Sequence, residues 1–197
     1  MHIQIVPGSF ARTAFYEPLR EALIAEGYAT SITPLPSIGM RHGRPPATME
    51  EDAECIRAAT EGLVEQGEDV VLVMHSYGGI PGMQSVEGFS RAERERAGKA
   101  GGVVRLVYLA AVVPDVGQSV NEIMAPWLEK YREMSYVKVE GDYMSHDPEL
   151  SAKYTFSDLA PDRALEWAEQ MQPQSTISFD GKLSYAAYKD FPASYIS

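Results

Sequence analysis

The most informative stretch of the chain is Asp69-Val-Val-Leu-Val-Met-His-Ser-Tyr-Gly-Gly79. Val70 to Met74 form a nearly continuous apolar run, as a parallel strand requires when helices cover both of its faces. The run breaks at His75-Ser-Tyr-Gly-Gly79, where adjacent glycines permit a tight turn. On the N-terminal side, His2-Ile-Gln-Ile-Val6 reads as a short strand running into the turn Pro7-Gly8-Ser9, and Tyr28 to Pro34 reads as a second. Phe15 to Glu26 predicts a helix, with Leu19 and Leu23 four apart, Pro18 in its first turn and Gly27 as its stop. Thr48 with Glu51 three residues on predicts a capping box heading a longer helix. Its Met49, Ala53, Ile56 and Leu63 share a face, and Gly67 ends it. On the C-terminal side, Val103 to Val113 is another buried strand. Strands and helices alternating in this way predict an α/β fold, an open parallel sheet with helices on both sides.

The chain has 197 residues, 45% hydrophobic and 23% charged, which suits one globular domain with a modest insertion. Lys and Arg number 17 against 28 Asp and Glu, a net charge of −11. So acidic a surface repels phosphate backbones and anionic lipid, so neither nucleic acid nor a membrane is an expected partner. The one basic stretch, Arg91 to Lys99, is interleaved with glutamate and reads as a solvated helix end. Cys55 is the sole cysteine, which excludes an intramolecular disulfide and a cysteine cluster for zinc or iron–sulfur; no metal or cofactor is expected. No run approaches the roughly 20 apolar residues of a membrane span. The early first strand leaves no room for a signal peptide, so the expected location is cytoplasmic.

The texture changes at Pro114. Residues 1–114 read as core and 115–174 as a helical cap over one end of the sheet. Residues 175–197 read as a return to the core. The middle segment loses strand character, holds Trp127 and Trp167, and collects Met124, Met134, Met144 and Met171, with a helix expected over 161–171. The alternative is that it is simply more of a single core. Tyr185 to Lys189 reads as helical, and Ala193 to Ser197 as the start of another strand.

A serine on a sharp strand-to-helix turn is the arrangement of a nucleophile elbow, which lifts the hydroxyl above the sheet. Gly78 supplies the small residue two positions after Ser76. Met74 stands where G-x-S-x-G has its first glycine, so an ordinary turn is the competing reading. Catalysis at Ser76 would need two N–H donors for the developing oxyanion. The N–H of Tyr77 is one candidate, and the N–H of Ser9, after the first strand, is the other. Phe10 and Trp127 are candidates for lining the substrate pocket, and both suit the core equally well.

On these residues the chain resembles the α/β-hydrolases of the single-domain esterase and hydroxynitrile-lyase-like branch. It is especially similar to fungal and bacterial members with Val-Met-His-Ser-Tyr-Gly-Gly at the elbow, a group that tolerates Met74. Ile5-Val-Pro-Gly-Ser9, Tyr16-Glu-Pro-Leu19, Gly101 to Tyr108, Pro173-Gln-Ser175 and Leu183 to Lys189 carry the resemblance further. It implies a sheet of the α/β-hydrolase type with a cap insertion, Ser76 as nucleophile, and a small acyl substrate such as an ester or lactone. It also implies a triad in the order Ser, acid, His. Ala193 to Ser197 matches the start of the strand before the acid, so the last strands, the acid and the histidine are expected beyond residue 197. Within the chain, His2, His42, His75 and His146 are poor substitutes as base, and Asp115 is a weak candidate acid. The 197 residues would then be inactive or weakly active, since an unassisted serine hydroxyl is a poor nucleophile. A lyase or polyketide-type metabolite enzyme on the same fold is one alternative, and a non-catalytic ligand-binding or partner-binding protein is another.

Overall fold

The computed structural model describes residues 1–130 and 136–197, so Met134 lies outside the described residues. The chain begins with β1 (His2–Val6), α1 (Glu17–Ala25), β2 (Ala29–Ile32), α2 (Met49–Val64) and β3 (Asp69–His75). It continues with α3 (Gly79–Ser85), α4 (Arg91–Arg96) and β4 (Gly102–Leu109). An inserted segment then carries α5 (Val120–Lys130), β5 (Val137–Glu140), β6 (Tyr143–His146), α6 (Pro148–Tyr154), α7 (Pro161–Ala168) and β7 (Gln174–Ser175). The chain rejoins the main sheet as β8 (Ala193–Ile196). That sheet has the order β2-β1-β3-β4-β8, with every pair parallel. The order reverses between β1 and β3, and the crevice at the carboxyl ends of such a pair is where open α/β sheets bind ligands. No helix among the described residues is long and apolar enough to cross a membrane.

Alternation along each strand divides the core into two layers. Val70, Leu72 and Met74 of β3 are fully buried and pack with Met49, Ile56 and Val64 of α2 and with Ile80 and Met83 of α3. Val71 and Val73 face the other way, onto a smaller cluster with Ile3, Ile5, Tyr16 and Leu23. The second layer is thin: no residue of α1 is buried, and Leu19 is exposed. The helix expected from Phe15 opens as a 3-10 turn, Thr13–Tyr16, before α1 begins. The capping box of α2 forms as predicted: Glu51 N–H donates to Thr48 Oγ1 (3.3 Å) and Thr48 N–H to Glu51 Oε2 (2.9 Å). The buried stripe of α2 also includes Asp52 and Thr60, while Leu63 is only half-buried.

Three expectations need correction. The inserted segment is not purely helical. Val137-Lys-Val-Glu140 alternates, Gly141 turns at φ +59°, and Tyr143–His146 returns antiparallel, making a hairpin that β7 extends to three strands. The strand expected to reach Val113 stops at Leu109, where Ala110 takes φ +42°. The basic stretch is not all solvated either. Arg94 is 5% exposed, and its guanidinium donates to the carbonyls of Val64, Ala100 and Gly101 and to Glu65. It thereby neutralises the carboxyl end of α2, where the helix dipole favours a cation.

The inserted segment leaves and rejoins at one place. Gly117 N–H donates to Leu183 O, and Leu183 N–H to Gln118 O. Its far end is tied to the loops after β1 and β2, through Gln172 N–H to Phe10 O, Gly39 N–H to Pro173 O and Ser175 N–H to Ser37 O. The segment therefore lies at the carboxyl ends of the central strands. Beneath it, Asp52 of α2 is wholly buried. Its carboxylate accepts from Ser37 N–H (2.8 Å), Ser37 Oγ (2.5 Å) and Tyr77 OH (2.6 Å). Burial pushes this carboxyl up from 3.8 to about 6, against the opposing pull of the Ser37 and Tyr77 hydrogen bonds.

Two outcomes follow from this packing. Arg94→Ala leaves the two buried carbonyls of Val64 and Gly101 without their side-chain donor and is expected to cost about 2–4 kcal/mol in urea unfolding. Asp52 holds its proton more tightly folded than unfolded, so its contribution to stability is full below about pH 4 and lost as pH rises through about 6. Nothing titrates at this position in Asp52→Asn. The stability of wild type minus that of the variant should therefore fall by up to about 3 kcal/mol between about pH 4 and pH 7. A flat difference across that range would show that Asp52 is not desolvated as described.

Candidate functional site

Three non-glycine residues among those described have positive φ: Phe10 (+61°), Ser76 (+49°) and Ala110 (+42°). They follow β1, β3 and β4, so the unusual backbone is gathered at the carboxyl ends of the central strands. Such strain concentrates where geometry serves a site. Ser76 is the sharpest case, because β3 ends at His75 and the 3-10 turn Ser76–Gly78 passes directly into α3.

The glycines explain how this turn fits. A Cβ on Gly78 would run into the Pro7 carbonyl oxygen and lie 2.9 Å from Val6 Cγ1. One on Gly79 would run into the Val112 carbonyl oxygen. The elbow is thus clamped between the loops after β1 and β4, and Val112 N–H donates to Ser76 O (2.9 Å). From the other side, a Cβ on Gly8 would lie 2.7 Å from His75 Nδ1 and 3.0 Å from Ser76 Cβ. The main chain after β1 therefore passes directly against the serine. The large residue before it is accommodated elsewhere: a Cβ on Gly82 would sit 2.6 Å from Met74 Sδ. Space that G-x-S-x-G provides on the strand is here provided on the following helix.

The loop after β1 that passes Ser76 has most of its N–H groups engaged. Gly8 N–H donates to Tyr16 OH (2.7 Å) and Phe10 N–H to Gln174 Oε1 (2.8 Å). Between them, the Ser9 N–H meets no acceptor among the described residues. Tyr77 N–H opens a helical turn, where the leading N–H groups have no acceptor within the helix.

Behind the elbow, Tyr77 is 1% exposed, stacked on Phe179 (5.2 Å, 7°) and bonded to Asp52. Gln174 is also wholly buried, and its Nε2 donates to Ser37 Oγ (3.1 Å) and Ser178 Oγ (3.3 Å). Sequence reasoning passed over Asp52, Ser37 and Gln174. Asp52 left a signal as a charge within the apolar stripe from Met49 to Ile56, and Gln174 lies in the Pro173-Gln-Ser175 stretch without any role read for it. Phe10 is buried, with its ring 4.0 Å from that of His146. Trp127 stays 47% exposed on α5.

No described histidine hydrogen-bonds Ser76. His2 bonds Ser31 (2.8 Å) at the amino end of β1, and His42 is exposed in its loop. His75 Nδ1 shares a hydrogen bond with Tyr16 OH (2.7 Å). Burial lowers the affinity of His75 for a proton and pushes the Tyr16 phenol up to about 12. His146 Nδ1 bonds Ser151 Oγ (3.1 Å), and burial pushes its pKa down to about 4, so its ring is neutral near pH 7. Asp115 accepts from Tyr188 OH (2.8 Å) on an exposed surface rather than from an imidazole.

This geometry has counterparts in known proteins. The chain is 36% identical over 194 residues to "Probable hydrolase R7" of Phoma sp., covering 98% of this chain and 75% of that protein. It is 30% identical over 197 residues to "Alpha/beta hydrolase nvfD" of Aspergillus novofumigatus, again covering 98% and 75%. The crystal structure of polyneuridine aldehyde esterase superposes with a TM-score of 0.75 at 19% identity, covering 99% of this chain and 79% of that one, and establishes the shared fold. The sequence profile of the alpha/beta hydrolase family matches residues 5–196, and with the sheet order and the elbow it places this chain in that family.

Proposed function

We propose that the protein is a serine hydrolase in which Ser76 attacks the acyl carbon of a small ester, lactone or similar metabolite. The observation that carries this reading is the left-handed Ser76 at the sheet's switch point, with Gly8 packed against it and the N–H of the next residue, Ser9, lacking an acceptor among the described residues. The hydrolase names of the two fungal relatives favour hydrolysis as the reaction class.

In this reading Ser76 Oγ forms a bond to the carbonyl carbon as its proton passes to a base. The carbonyl oxygen becomes an oxyanion held by the N–H groups of Ser9 and Tyr77. Collapse expels the alcohol, which takes the proton from the base, and leaves an acyl-Ser76 ester. Water then repeats the sequence: its proton goes to the base, the acid leaves, and Ser76 recovers its hydrogen. The reading places the base outside the described residues, and the relatives extend a quarter of their length beyond the match. It assigns residues 115–174 to a cap that shapes the pocket, with Phe10 on the wall beside the oxyanion loop. This chemistry calls for no metal or cofactor.

An external base tests the proposal on the 197-residue chain itself. A fluorophosphonate should give one adduct, mapped by peptide mass to Ser76 and absent in Ser76→Ala. Imidazole should raise the labelling rate about 10-fold or more, following the fraction of its free base as pH changes. Labelling at another residue, or none at any imidazole concentration, would sink the serine mechanism.

A further inference from the structure

We propose that Asp52 and Gln174 are positioning residues that set the separation of the Ser9 and Tyr77 N–H groups. Through Gln174, that separation is tied to the seat of the inserted segment. The inference rests on the serine-hydrolase reading, because it assigns those two N–H groups to one oxyanion.

The connection can be followed bond by bond. Tyr77 is held at both ends: its main chain forms the elbow, and its hydroxyl donates to Asp52 Oδ2 (2.6 Å). Its ring lies flat on Phe179 (5.2 Å, 7°), so a rotation of the elbow would pull the hydroxyl from its acceptor. Asp52 cannot follow such a rotation, because Ser37 engages both carboxylate oxygens, through N–H to Oδ1 (2.8 Å) and Oγ to Oδ2 (2.5 Å). Ser37 Oγ in turn accepts from Gln174 Nε2 (3.1 Å), and Gln174 Oε1 accepts the Phe10 N–H (2.8 Å). Phe10 follows Ser9 directly and is held at φ +61°, so fixing its N–H fixes the peptide plane through which Ser9 is oriented.

Every side chain in the circuit is nearly or wholly buried: Asp52 0%, Gln174 0%, Ser37 1% and Tyr77 1% exposed. Four buried polar groups are a poor means of stabilising a core, since apolar residues of the same volume serve at least as well. Hydrogen bonds do supply direction, which packing alone does not. The circuit joins two loops that have no hydrogen bond to each other at Ser9 and Tyr77, so it provides the common reference that two converging donors need. Gln174 belongs to β7, which Ser175 N–H to Ser37 O and Gly39 N–H to Pro173 O anchor beside the loop after β2. A shift of the inserted segment therefore reaches the oxyanion loop through the Gln174 side chain, alongside the main-chain bond from Gln172 N–H to Phe10 O.

Tyr77→Phe, Asp52→Asn and Gln174→Met test this without altering either backbone N–H. Tyr77→Phe keeps the stacked ring, so it isolates the hydroxyl. Each variant that stays folded at the assay temperature should label with fluorophosphonate in imidazole about 10- to 100-fold more slowly than wild type. The reagent concentration at half-maximal rate should stay within about twofold, as expected when an interaction of the transition state alone is lost. Because all three break one circuit, Tyr77→Phe combined with Gln174→Met should be no slower than the worse single variant. In the same samples, the Ser9 amide resonance should move in Tyr77→Phe although residue 77 lies in another loop. Labelling within about twofold of wild type, or a Ser9 amide unmoved by Tyr77→Phe, overturns the proposal. Failure of the wild type to label at Ser76 defeats the serine reading instead, and the amide measurement then decides alone whether the two loops are coupled.

Discussion

The structure depends on how closely three stretches of main chain approach one another at the carboxyl ends of β1, β3 and β4. Gly8, Gly78 and Gly79 each lie where a single added carbon would strike a neighbouring loop, twice on a carbonyl oxygen. A carbonyl oxygen cannot rotate aside as a side chain can, so the close contact is possible only without Cβ atoms at these positions. That absence lets the loop after β1 run beside Ser76 and confines the serine to its left-handed conformation.

Polar groups inside such a contact must find partners within the protein, because water is excluded. The molecule meets this demand in two ways. At the site, Asp52, Ser37, Tyr77 and Gln174 satisfy one another and hold the Phe10 N–H, leaving the Ser9 N–H without a protein acceptor. At the opposite end of α2, Arg94 gathers the carbonyls of Val64, Ala100 and Gly101. One helix thus carries a buried anion near its amino end and a buried cation against its carboxyl end, each in the orientation that the helix dipole favours.

Met74 illustrates how a departure from a motif is absorbed. A short residue before the serine leaves room for the helix that follows the elbow. Here the room comes from Gly82 on that helix, which leaves the methionine sulfur a place to lie. Two residues eight apart in sequence exchange the same volume. A five-residue pattern does not contain that compensation, although both residues were in plain view.

Much of this was legible in the sequence, where the information is local. The apolar run from Val70 to Met74, the Thr48–Glu51 capping box and the Gly78-Gly79 pair each state a requirement met by neighbours in the chain. The place of Ser76 and Ser9 at the sheet's end follows from the strands that precede them, and the family from a resemblance over longer motifs. The alternation of Val137 to Glu140 is equally local, although the segment as a whole reads as helical. The positions of Asp52, Ser37 and Gln174 could not be read in this way. Their meaning lies in bonds spanning 15 to 137 residues of chain, and a buried carboxylate or amide has the same letter as an exposed one. Sequence alone determined which strands and turns form, because backbone preference and periodicity act over a few residues. Tertiary structure alone decided which polar side chains would be sealed beneath the elbow, because desolvation and hydrogen-bond partnership exist only once distant segments meet.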